Sequence, residues 1–256
     1  MFVIIPETGP LLRNVREKSG DLLIEEKASL NDLPEISAKT NSSGSLSPAV
    51  ALWEIVSVVL SFGIGEWVVL AFVPKNKLML AVPALAALSL VLFSKKERGE
   101  SWRDIGWRLD NFGSAVRIIV LPTLIGAAII LFAGWQMSSF HFSRNNLVTW
   151  GLGLLVWAFA QQFFLQGFIN RRSQIIWGKG WISVLVVAVI FAGLHLPNPI
   201  LSLASFIGAI IWATAYQRYP NLFAVAFSHA FLSFLIVMSL PNWLLNNMRV
   251  GFKYLA

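Results

Sequence analysis

Residues 151–169 read GLGLLVWAFAQQFFLQGFI, an apolar run long enough to cross a bilayer that carries three glutamines, Gln161, Gln162 and Gln166, in its second half. At ~1.5 Å of rise per residue, about 20 apolar residues traverse the hydrocarbon core. Working outward, six further runs approach that length: about 50–73, 77–94, 115–136, 181–197, 200–217 and 222–240. Helices are the economical way for such runs to satisfy their backbone groups away from water, so the fold class expected is an all-α polytopic transmembrane bundle of about seven spans.

Composition agrees with that reading. The chain has 256 residues, 56% hydrophobic and only 13% charged, more apolar surface than a soluble domain of this size could bury. A net charge of +7 could suggest nucleic acid, but the Lys and Arg lie mainly in short segments between apolar runs, which speaks for membrane orientation and against a nucleic-acid partner. Alternate loops carry nine basic residues against five, which predicts a cytoplasmic N-terminus in the plasma membrane. With no cysteine, thiolate metal sites, cysteine nucleophiles and disulfides are excluded.

The chain divides into a polar tail over 1–49, a membrane helical domain over 50–240 and a short C-terminal tail over 241–256. The first part ends in SAKTNSSGSLSP and lacks the periodicity of a packed fold, so it reads as disordered, with one amphipathic piece near residues 11–26. Segment 95–114, KKERGESWRDIGWRLDNFGS, reads as an amphipathic helix at the interface. Tryptophans near the run ends, among them Trp102, Trp135, Trp177, Trp181 and Trp243, read as interfacial anchors.

Polar groups inside the bilayer are costly and are therefore the candidates for function. Beyond the three glutamines they are Glu54, Glu66, His195, Ser228, His229 and Ser233. Gln162 and Gln166, four apart, share a helix face, and Gln161 points about 100° away. After Asp110 the chain has no acid, so any general base in the second half is a histidine or is borrowed from the first half. Glu54 sits near a span end beside Trp53, a solvated setting, whereas Glu66 in FGIGEWVVL lies deeper. His141, in SSFHFSRNN, reads as a loop residue.

The order QQFFLQGF, then FAGLHLPN (191–198), then SHAFLS (228–233) resembles the CAAX prenyl protease and bacteriocin-processing family of intramembrane proteases. That family shows a Glu-Glu-x-x-x-Arg helix, a Phe-x-x-x-His helix and a further His motif. SWRDIGWR (101–108) is similar to the short piece that often precedes its core. The resemblance implies a glutamic-type endopeptidase that cleaves hydrophobic or lipidated peptide substrates, Glu and His activating a water while other donors hold the oxyanion. It places Gln161, Gln162, Gln166, His195 and His229 in the catalytic positions, without a cofactor.

Here Gln161 and Gln162 stand where the family has Glu, and Gln166 stands where it has Arg. An amide orients a water but cannot take its proton. The base contribution, typically ~10²–10⁴ in rate, should be missing. An Arg at 166 without its Glu would be a buried unpaired charge, so the triple replacement yields a neutral set able to hydrogen-bond within itself. Three readings therefore stay open: a peptidase, a catalytically silent relative that binds a membrane peptide or partner protein, and a small transporter resting on Glu66. Interhelical hydrogen bonding alone is the plain alternative for the glutamines. Two histidines without cysteine fall short of a zinc set unless Glu66 joins them. A His229–Ser233 dyad competes with Ser233 bonding its own backbone.

Overall fold

The structure is a computed structural model that describes residues 47–73, 77–141 and 144–256, with the side chains of residue 77 and of residues 144–149 left aside. The expected polar tail falls outside the described residues up to position 46, as does its amphipathic piece. No strand occurs among the described residues.

The first helix, α1 (Pro48–Phe72), starts where the Ser47 hydroxyl accepts the Val50 N–H and Pro48 supplies a preset first turn. It passes through a π-helical stretch at Ile64–Val69. α2 (Ala81–Glu97) follows a short 3₁₀ turn, and α3 (Phe112–Gln136) crosses next despite the internal Pro122. α4 runs over residues 144–177: an α part to Gln162, a π part over Phe163–Asn170 and a last α part over Arg171–Trp177. α5 (Trp181–Gly193), α6 (Pro199–Arg218) and α7 (Leu222–Ser239) complete the bundle.

Six of these helices are long and apolar enough to cross a membrane, and α5 is apolar but shorter. The seven expected runs thus correspond to seven helices of an integral, multi-pass membrane protein. At ~1.5 Å per residue the 13 residues of α5 rise only about 20 Å, less than the hydrocarbon thickness, and His195 lies in the turn that follows the helix.

α5 and α6 form a close antiparallel pair, α7 lies between α3 and α4, and α1 packs on α2 and on the last part of α4. The main core gathers Val58, Phe168, Val187, Trp212 and Tyr216. Large apolar side chains point outward all round, for example Leu60, Leu121, Ile129, Val156 and Leu203, as a lipid-facing surface requires. Trp102, Trp135, Trp177, Trp181 and Trp243 are exposed, as anchors must be.

One local expectation is overturned. Segment 95–114 is no interfacial helix: α2 ends at Glu97 and residues 98–111 form a series of turns. Ser101 and Asp104 bond each other's backbone N–H groups, and Gly106, at φ +86°, brings its backbone against Tyr216 and the start of α7. Leu222 N–H donates to the Gly106 carbonyl at 2.8 Å, and the Asn221 amide donates to Arg108 O and Asn111 Oδ1. Backbone bonds to α7 outweigh the periodicity that would have made a helix. Beyond α7, the C-terminal residues return to the bundle: the Asn198 amide donates to Leu245 O and Arg249 O, and Gly251 N–H donates to Leu196 O.

Candidate functional site

Gln162 and Gln166 are both fully buried, and each reaches a different partner. The Gln162 amide donates to Nδ1 of His229 on α7 at 3.1 Å. Gln166 Oε1 accepts from the Asn170 amide at 2.7 Å. The neutral set therefore does not close on itself as its sequence suggests. Gln162 borders the π stretch and Gln166 lies in it. Two buried atoms, Gln162 Oε1 and Gln166 Nε2, have no hydrogen-bond partner among the described residues. Gln161 is partly exposed and makes no side-chain hydrogen bond among them.

The two histidines meet across Phe191. Its ring lies edge-on to His195 at 4.7 Å and to His229 at 5.7 Å. Their tautomers are opposite. His195 Nδ1 lies 2.7 Å from the Phe191 carbonyl, an acceptor only, so it carries the proton and Nε2 presents a lone pair. His229 Nδ1 accepts from Gln162, so its proton sits on Nε2. A base and a donor thus stand in one site, built from α4, α5 and α7.

Trp212 covers His229, ring to ring at 4.5 Å. A directed chain fixes it: Trp212 Nε1–H donates to Ser228 Oγ, Ser228 is 2.7 Å from Thr123 Oγ1, and Thr123 donates to Ile119 O. Trp212 and Thr123 escape a sequence reading, because an indole or a hydroxyl in an apolar run looks like packing. Asn170 is the other omission. Its Oδ1 accepts from Gln217 at 3.0 Å and from Gln174 at 3.1 Å, which links Gln166 to α6. The available signal was its place four residues after Gln166, on the same face.

The acids lie elsewhere. Glu66 hydrogen-bonds to neither histidine; it sits in the π stretch of α1 against the C-terminal segment, where a Cβ on Gly251 would meet its backbone O at 2.8 Å. Ser233 makes no side-chain hydrogen bond among the described residues. No group of three His, Cys, Asp or Glu arranged to hold a metal ion occurs among them.

Glu54 is not the solvated end residue its position suggests. With Glu100 it anchors a buried ionic cluster at the opposite end of α4, about 1.5 turns past Gln166. Arg172, fully buried, donates to Glu54 at 2.9 Å, to Glu100 at 2.8 Å and to Ser94 at 2.9 Å. Arg98 adds a bond to Glu54, and Arg171 adds one to Glu100. Burial pushes the Glu100 carboxyl up, but the hydrogen bonds and charges of Arg172 and Arg171 together outweigh it and hold the group below its ordinary value.

Part of the chain, holding these amides and histidines, matches a known family. Residues 143–235 match the family model described as type II CAAX prenyl endopeptidase Rce1-like. Residues 143–235 are Rce1-like in sequence. That span includes all three glutamines, both histidines, Trp212 and Ser233. No curated protein and no solved structure matches the chain.

Proposed function

We propose that this Rce1-like membrane protein holds a segment of a hydrophobic or lipidated peptide at the His195–His229 site without cleaving it. The observation that supports this reading is the presence in one site of a lone pair on His195 Nε2 and a proton on His229 Nε2, while no carboxylate bonds to either ring among the described residues. A peptide unit offers one N–H and one C=O, and a neutral donor and acceptor satisfy both. Hydrolysis needs, in addition, a group that takes the water's proton near working pH. The nine basic residues of the helix ends and turns at the Glu100 end argue for placing that end in the cytoplasm and the protein in the plasma membrane.

A second reading, a slow peptidase, draws on the same His195 Nε2, which is free to act as a base. One experiment separates them. The full chain in liposomes is offered a prenylated peptide bearing a photocrosslinker, and capture and cleavage are scored together. Capture without cleavage is expected, with His195→Ala lowering capture roughly tenfold, the worth of about one hydrogen bond. Turnover by the native chain, or capture indifferent to His195→Ala, overturns the proposal. Gln161→Glu, Gln162→Glu and Gln166→Arg, installed together, test whether restoring the charges restores hydrolysis.

A further inference from the structure

At the end of the bundle that holds the ionic cluster, the start of α5 and the end of α6 enclose a cleft of about 430 Å³. Its rim carries Lys179 and Arg218, both exposed, and its wall is Trp181 and Val184. The other arginines of the neighbouring turns are engaged: Arg98, Arg103, Arg108, Arg171 and Arg172 each pair with a carboxylate. Lys179 and Arg218 pair with none among the described residues.

Two further features face the same cleft. Gly180, the residue before α5, has no side chain to cap the first turn, so that turn's N–H groups take no side-chain acceptor and present the positive end of the helix. The floor is rigid: Gln217 Oε1 accepts the Gly180 N–H at 2.9 Å, while its amide nitrogen is held by Asn170 and Ser183. Two cations, uncapped backbone donors and an apolar wall in one concavity suit a phosphate attached to a hydrocarbon body.

We infer that this cleft binds the phosphate headgroup of an anionic membrane lipid, with Lys179 and Arg218 on the phosphate and Trp181 and Val184 against the glycerol and upper acyl chain. Trp181 is 64% exposed and Ile182 56%, so the apolar wall continues into the lipid-facing surface. That continuity favours a lipid over a soluble phosphate.

The test uses the full chain in detergent micelles. Bound phosphatidylglycerol and phosphatidylcholine are counted by native mass spectrometry during titration. Phosphatidylglycerol is expected to bind preferentially, and Lys179→Ala/Arg218→Ala to weaken it roughly tenfold to thirtyfold, as two interfacial basic residues should. The control Lys96→Ala/Arg117→Ala removes the same charge from exposed positions outside the cleft and should leave binding within about twofold. Equal losses in both variants, or an unchanged preference in the first, would overturn the inference. Displacement of the lipid by millimolar inorganic phosphate would reassign the cleft to a soluble anion and overturn the lipid.

Discussion

Two polar clusters lie on one helix, α4, and differ in kind. Around Gln162 and Gln166 every group is a neutral amide, imidazole or hydroxyl, and two amide atoms are left without partners. Around Arg172, ten residues beyond Gln162, the groups are full charges, and Arg172's five donors are almost all used. Depth explains the difference. At the helix end, loop residues such as Glu100 can fold over a buried guanidinium, and charge is tolerated because it is fully paired. In mid-span the groups that meet the glutamines come from other helices, and no acid bonds to them among the described residues, so a neutral set is the one that can be buried there.

The sharpest way to break that contrast is to remove the pairing at the helix end. Arg172→Ala leaves Glu54 and Glu100 buried with only Arg98 and Arg171 between them, and should cost about 3–5 kcal/mol in a denaturation series. Next comes a charge at mid-depth. Gln166→Arg alone should destabilise by about 3 kcal/mol, and Gln161→Glu/Gln162→Glu/Gln166→Arg by less than the sum of its parts. A strictly additive result would show that the three positions do not share a site.

Smaller effects test the links. Asn170→Ala strips the partner from Gln166 Oε1 and from Gln217, and should cost about 1–3 kcal/mol. Trp212→Phe keeps the ring over His229 but removes the donor to Ser228, for about 1 kcal/mol. The smallest effect is a pH dependence. Glu100 titrates below its ordinary value of 4.5 in the fold, so its contribution is complete above that pH and is lost as pH falls through the lower folded value. Thermal stability should therefore be flat with respect to Glu100 down to about pH 4.5 and fall below it. Glu100→Gln should flatten the acid limb.

The comparison also says what a linear reading can reach. The seven helices are legible because bilayer thickness turns directly into run length. Gln162, His195 and His229 stand out as candidates for a related reason, since a polar residue in such a run is conspicuous. The turns of 98–111 were misread because their amphipathic period is real, while the bonds that replace the helix come from Asn221 and Leu222, more than a hundred residues away. Glu54 was misread for the same reason: its partners are Arg98 and Arg172.

Composition and hydropathy by themselves determined that this chain is a helical membrane bundle, that its second half has no acid and that the run holding the three glutamines carries no charge over residues 151–169. Only the tertiary structure decided which groups meet. It sent Gln162 to His229 and Gln166 to Asn170 instead of to each other, set the two imidazoles in opposite tautomers, and left Glu66 bonded to neither histidine. Hydropathy is a property of one segment against its solvent, whereas each of these pairings depends on the relative depth and rotation of two helices, which packing alone sets.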